Sequence, residues 1–138
     1  MTITTTTHLN FRGQAREALS FYQTVFGGEL MLATHADIYP QVPAEEADHI
    51  AFGQVESTNG FRIMVFDVPA ARPYSPGESA VFVSVRGSDA DELTGHWNRL
   101  ADGATIIQRL GPSRWSRLYG MLKDRFGITW VMDVAVSR

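Results

Sequence analysis

The sequence predicts an α+β fold assembled from two βαβββ modules, and three observations carry that expectation. The spacing of apolar residues changes from strand-like to helical after Phe11 and again after Ser88. Glycines close both helical stretches, at Gly27-Gly28 and at Gly103. A proline-rich stretch from Pro69 to Gly77 separates two halves in which the same order of elements recurs.

Thr2 to Phe11 is rich in Thr, with Ile3, Leu9 and Phe11 interspersed, which fits a half-buried first strand. Ala15, Ala18, Leu19, Tyr22, Val25 and Phe26 then share one face of a helix. Glu29 to Thr34 reads as a strand. His35 to Asp48 carries Pro40, Pro43 and the pair Glu45-Glu46, so it is expected to be a surface loop, and its length marks it as a candidate lid. Two further strands, His49 to Glu56 and Phe61 to Val68, flank the turn residues Ser57 to Gly60. In the second half Ser79 to Val85 is strand-like and Ser88-Asp89-Ala90-Asp91 supplies a helix N-cap. Leu93, Trp97, Leu100 and Ala101 repeat at helical spacing, and strands follow at Ala104 to Leu110, Leu118 to Lys123 and Thr129 to Val136. Module 1 thus covers about residues 1–68, the linker 69–78 and module 2 about 79–138, in a single domain spanning 1–138.

Composition excludes several functions. Twelve Lys and Arg against fifteen Asp and Glu give 12 − 15 = −3, without a basic stripe, which argues against a nucleic-acid partner and against a helix lying on a membrane. There is no Cys, hence no disulfide framework, thiolate nucleophile or Cys-ligated metal. The N-terminal MTITTTTHLNF lacks the basic start and apolar stretch of a signal peptide, so a cytoplasmic location is expected.

Two stretches resemble a known family. Ala18, Phe21, Tyr22, Phe26, Gly27 and Gly28 match the helix pattern A-x-x-F-Y-x-x-x-F-G-G. Tyr119, Gly120, Leu122, Asp124, Phe126, Gly127 and Trp130 match Y-G-x-L-x-D-x-F-G-x-x-W. Together they resemble the PhnB-like branch of the vicinal oxygen chelate superfamily, which includes glyoxalases, dioxygenases and bleomycin-resistance proteins. The resemblance covers nearly the whole chain. It implies two βαβββ modules whose mixed sheets curl around a cleft, and commonly a homodimer.

The resemblance also implies where a metal would sit. Its first ligand position falls on His8, which matches. The others fall on Met64 where a Glu is expected, near Ala80 where a second His is expected, and on Val131 where a carboxylate is expected. A thioether and an isopropyl group cannot replace hard donors for a divalent ion. No cofactor and no metal site are therefore expected, with Asp133 or, less readily, Asp67 as the residues that could restore one. His8 fits either a strand histidine satisfied by a neighbouring hydroxyl or carbonyl, or a pocket-facing catalytic base or donor. His35, His49 and His96 have weaker claims, and Phe52 occupies the slot where PhnB-like relatives often carry a His.

The remaining site candidates are apolar and aromatic: Met64, Phe66, Phe82, Trp115, Tyr119 and Trp130, with Arg114 and Arg117 nearby in sequence. All could be core. If they line a cavity, ring faces beside guanidinium groups suit a planar or anionic organic molecule. The local excess of Arg109, Arg114, Arg117, Lys123 and Arg125 also fits a solvated rim. Two functions follow: metal-independent binding of a small molecule, or a metal-dependent isomerase, lyase or dioxygenase using His8. A C-methyltransferase activity, a label attached to relatives, finds no support, because no G-x-G-x-x-G loop is present.

Overall fold

The first strand is shorter than the Thr-rich run suggests, because its partner runs out. In the computed structural model, which describes residues 2–135, β1 spans Thr7–Phe11 and pairs in parallel with β4, Arg62–Asp67. Thr7 already faces Ile63, and one residue upstream Arg62 donates through Nε to the Thr6 hydroxyl at 2.8 Å. Before Arg62 the chain turns away, leaving residues 2–5 no ladder to join.

Between them lie helix α1 at Ala15–Phe26, strand β2 at Glu29–Thr34, a single helical turn α2 at His35–Ile38, a 3-10 turn at Ala44–Glu46 and strand β3 at Ile50–Glu56. The sheet order is β1-β4-β3-β2. Helix α1 buries Ala15, Ala18, Leu19, Tyr22, Val25 and Phe26, and the large apolar members each contribute about 1.5–3 kcal/mol. Phe26 stacks on Phe61 with ring centroids 3.8 Å apart. The helix ends where Gly27 and Gly28 adopt φ of 75° and 105°; a side chain at Gly28 would also strike the Glu56 carbonyl.

No local side chain caps α1. Asp67, at the end of β4 and 1% exposed, does so from a distance. Its Oδ1 accepts the backbone N–H groups of Gly13 at 2.7 Å and Ala15 at 3.1 Å, and its Oδ2 accepts that of Ile50 at 2.9 Å. One carboxylate thus joins the N-terminus of α1 to the starts of β3 and the end of β4. The stretch expected to be a linker is fastened here too: Arg12 donates to the carbonyls of Pro69 and Arg72 and lies over the Tyr74 ring at 5.2 Å.

The chain forms two compact units, one ending at Pro76 and one starting at Gly77. The second contains β5 at Val83–Gly87, α3 at Ala90–Leu100, β6 at Thr105–Gly111, β7 at Ser116–Lys123 and β8 at Thr129–Ala135, in the order β5-β8-β7-β6. Val136 lies outside the described residues. As in the first unit, the outer strand β5 runs parallel to its neighbour and the other pairs are antiparallel. The strand expected at 79–85 starts instead at Val83, since Val83 faces Trp130 and β8 begins only one residue earlier. Within the stretch expected to cap α3, Ser88 to Asp91, the cap is Asp89, which accepts from the N–H groups of Asp91 and Glu92. Neither sheet closes on itself.

Asp67→Ala is expected to leave three N–H groups unpaired, those of Gly13, Ala15 and Ile50, the last two buried, and to destabilise the chain by at least about 2 kcal/mol in urea unfolding. Asp102→Ala, which removes an exposed ion pair with Arg125, is expected to stay within about 0.5 kcal/mol. Equal losses for the two variants would contradict this assignment.

Candidate functional site

Because strand side chains alternate, each sheet has one face covered by its helix and one that is not. In the first unit Leu9, Val55, Ile63 and Val65 are buried on the covered face. Their neighbours His8, Gln54, Met64 and Phe66 therefore occupy the other. Register arranges them in a row: His8 pairs with Met64, Met64 with Gln54, and Gln54 with Met31. The imidazole of His8 is exposed, stands edge-on to Phe66 at 5.1 Å and makes no hydrogen bond among the described residues. It can accept or donate a proton, but its immediate surroundings are a thioether and a phenyl ring.

The second unit corrects one expected ligand position. Ala80 precedes β5, and the residue that pairs with Val131 is Ser84. Since β5–β8 repeats the β1–β4 arrangement, Ser84 is the topological counterpart of His8 and Val131 that of Met64. Taken unit by unit, the positions read His8 and Met64 in the first and Ser84 and Val131 in the second. In the first unit an imidazole beside a thioether, and in the second a neutral hydroxyl beside an alkyl group, are each a poor donor set for a hard divalent ion. Among the described residues no group of three His, Cys, Asp or Glu is gathered for one.

Nor are the two reserve carboxylates free. Asp67 faces the covered side and is engaged by three backbone N–H groups. Asp133 shares the uncovered face with Val131, but both of its oxygens accept from Arg86, Nε at 3.1 Å and Nη2 at 3.0 Å. This hydrogen bonding, reinforced by the carboxylate charge, holds the Arg86 guanidinium in its protonated form even more firmly than usual.

Other expected site residues are spread over the second unit. Phe82, 42% exposed, lies just before β5. Arg114 is exposed in the β6–β7 turn, and Trp115 beside it is 62% exposed with its ring edge-on to Tyr119 at 5.2 Å. Tyr119 pairs with Asp133 on one side and Gly111 on the other.

Trp130 departs from the expectation. It is wholly buried with Met132 and Val134, and its indole N–H donates to Asp124 Oδ2 at 2.8 Å. Adjacent strand residues face opposite ways, so Trp130 and Val131 cannot both line one surface. Asp124 also accepts the N–H groups of Phe126 and Ile128, which makes this part of the sequence signature a structural turn.

The weaker histidine candidates also have structural places. His35 is 2% exposed and its Nε2 lies 3.0 Å from the Asp67 carbonyl oxygen. His96 Nδ1 accepts from Arg99 Nη2 at 3.0 Å. His49 Nδ1 is buried with no hydrogen-bond partner among the described residues. The 35–48 segment, expected to be an irregular loop, carries α2 and the 3-10 turn because Thr34 and Asp37 form a reciprocal capping box and Glu46, 7% exposed, accepts the Ala70 N–H at 2.8 Å. Missed altogether were the Arg86–Asp133 pair and the partners Gln54 and Met31; strand alternation around Val131 was the one available signal for the pair.

Two hydrogen bonds from Thr34 hold the Asp37 carboxyl below its ordinary 3.8. The depressed value means that the capping box contributes fully above pH 3.8 and is lost as pH falls below that toward the folded value. An NMR titration is expected to give an Asp37 midpoint under 3.8, with loss of the Asp37 amide protection over the same range. A midpoint above 3.8 would contradict the capping geometry.

The family model for the Glyoxalase/Bleomycin resistance protein/Dioxygenase superfamily matches residues 7–132. Protein YjdN of Escherichia coli is 25% identical, over 92% of this chain and 92% of its own. Among solved structures, protein PA1353 of Pseudomonas aeruginosa superposes with a TM-score of 0.84 at 30% identity, covering 97% of this chain and 98% of that one. A PhnB protein of Bacillus cereus superposes with a TM-score of 0.70 at 24% identity, covering 96% and 100%.

Proposed function

The chain belongs to the Glyoxalase/Bleomycin resistance protein/Dioxygenase superfamily, and from that premise we propose that it binds a small planar or anionic organic molecule without the aid of a metal ion. The scaffold alone does not decide this, since folds of this kind host many activities. The observation that carries the reading is the register pairing of His8 with Met64 and of Ser84 with Val131. Where oxygen and nitrogen donors would be needed for a metal, the first unit offers one imidazole beside a thioether and the second a neutral hydroxyl beside an alkyl group. On this reading Met64 and Phe66 give apolar contact and His8 a hydrogen bond or a proton. In the second unit, considered by itself, Phe82, Arg114, Trp115 and Tyr119 supply ring faces and charge.

A second reading, a metal-dependent isomerase, lyase or dioxygenase, has one observation in its favour: the exposed, unbonded imidazole of His8. Elemental analysis of tag-free protein separates the two. No stoichiometric divalent ion is expected; about one ion per chain, lost in His8→Ala, would overturn the binding proposal. A thermal-shift screen of planar and anionic aromatic compounds is expected to yield hits. A ligand at ~100 times its Kd stabilises by ~2.7 kcal/mol, while an entirely flat screen would remove the proposal's support.

A homodimer in the cytoplasm completes the proposal. The edge strands expose Met31 and Leu32 on β2 and Ile106 and Ile107 on β6, which favours their being covered. No described helix is long and apolar enough to cross a membrane. Light scattering is expected to give about twice the 15.3 kDa chain mass, and a value near the chain mass at micromolar concentration would contradict the dimer.

A further inference from the structure

Across the uncovered face of the second sheet, register draws one row from edge to edge: Arg86 on β5, Asp133 on β8, Tyr119 on β7 and Gly111 on β6. The adjacent row is Ser84, Val131, Met121 and Gln108. We propose that the first row is a binding site for a planar aromatic carboxylate, with Arg86 as its anion anchor and Tyr119 and Trp115 as its aromatic wall. This deepens the function proposed above and rests on it, naming the ligand class and a residue that neither the family signature nor the sequence reading singles out.

Three features support the assignment. First, the ion pair is asymmetric: the Arg86 side chain is 67% exposed and that of Asp133 only 8%. An approaching molecule therefore meets guanidinium first, with the carboxylate beneath it. Second, Asp133 uses Nε and Nη2 of Arg86 and fixes its plane. The Nη1 group makes no hydrogen bond among the described residues, so a pre-oriented pair of N–H donors faces outward. An arginine so held loses little rotamer freedom when it takes a second anion.

Third, the aromatic groups stand at a fitting distance. Neighbouring strands are about 4.8 Å apart, so Arg86 and Tyr119, with β8 between them, are separated by roughly 10 Å at the backbone. A fused bicyclic ring with an attached carboxylate spans that gap. Trp115 stands edge-on to Tyr119 and is 62% exposed, which makes a corner of two ring surfaces. On the far side of Tyr119 a methyl group built at Gly111 would meet nothing within 4 Å, so the ring is not walled in there. Val131 and Met121 in the adjacent row offer an apolar floor.

The test is calorimetric titration of the full chain with 2-naphthoate and with its neutral isostere 2-naphthamide. Three variants are compared: Arg86→Lys, Trp115→Ala, and the double change Arg86→Gln with Asp133→Asn, which avoids leaving a buried carboxylate unpaired. Melting curves confirm that each variant is folded. The acid is expected to bind about 10- to 100-fold more tightly than the amide, as a charge-assisted bidentate contact implies. The double variant is expected to abolish that preference while retaining amide binding, and Arg86→Lys to lose most of it. Trp115→Ala is expected to weaken both ligands alike.

Equal affinities for acid and amide, or an acid affinity unchanged in the double variant, would overturn the Arg86 site while leaving the broader binding proposal standing. Failure of both naphthalenes to bind, alongside hits from the wider thermal-shift screen, would also overturn it alone. Only a flat wider screen would remove both.

Discussion

Everything functional in this chain depends on strand register within two small four-stranded sheets. Side chains alternate strictly along a strand, and each sheet gives one face to a helix, so a shift of one residue would exchange core for surface throughout. The parallel pairing of each unit's first strand with its last fixes which residues meet on the uncovered face. In one unit that pairing sets His8 beside Met64; in the other it sets Ser84 beside Val131 and Arg86 beside Asp133. The chemistry available on these surfaces follows from those neighbours and from nothing else in the composition.

Buried carboxylates hold that register in place. Asp67 fastens α1 and β3 to β4, while Asp124 shapes the β7–β8 turn and fixes the Trp130 indole. Both are acidic residues with the look of catalytic groups, and both spend their oxygens on backbone or indole N–H donors. Asp133 differs because its partner is an arginine that remains exposed. The most recognisable residues of the chain, Tyr22, Gly27, Gly28, Asp124 and Trp130, accordingly serve the fold, and the residues that give the surfaces their character lie between them.

Much of this was legible in the sequence. Helical spacing and terminal glycines located both long helices closely, and the cap of α3 was readable to within Ser88 to Asp91. Strand limits were harder, since they depend on where the partner ends: Thr2 to Thr6 and Ser79 to Phe82 have strand-like composition but no ladder to join. That offset of a few residues placed a ligand position near Ala80 instead of Ser84. Trp130 fitted either core or cleft lining because composition does not reveal facing, and its hydrogen bond to Asp124 joins residues six apart. Arg86 and Asp133 lie 47 residues apart, so strand alternation, which sets Asp133 on the face of Val131, was the one pointer to their pairing.

The central claim is that the His8–Met64 row lacks the donors to retain a hard divalent ion. Paramagnetic Mn2+ titrated into isotope-labelled protein, followed by amide NMR, tests it most directly. The account requires no selective, saturable broadening at His8, Met64 or Gln54. Stoichiometric broadening centred on those amides, removed by His8→Ala, would contradict it.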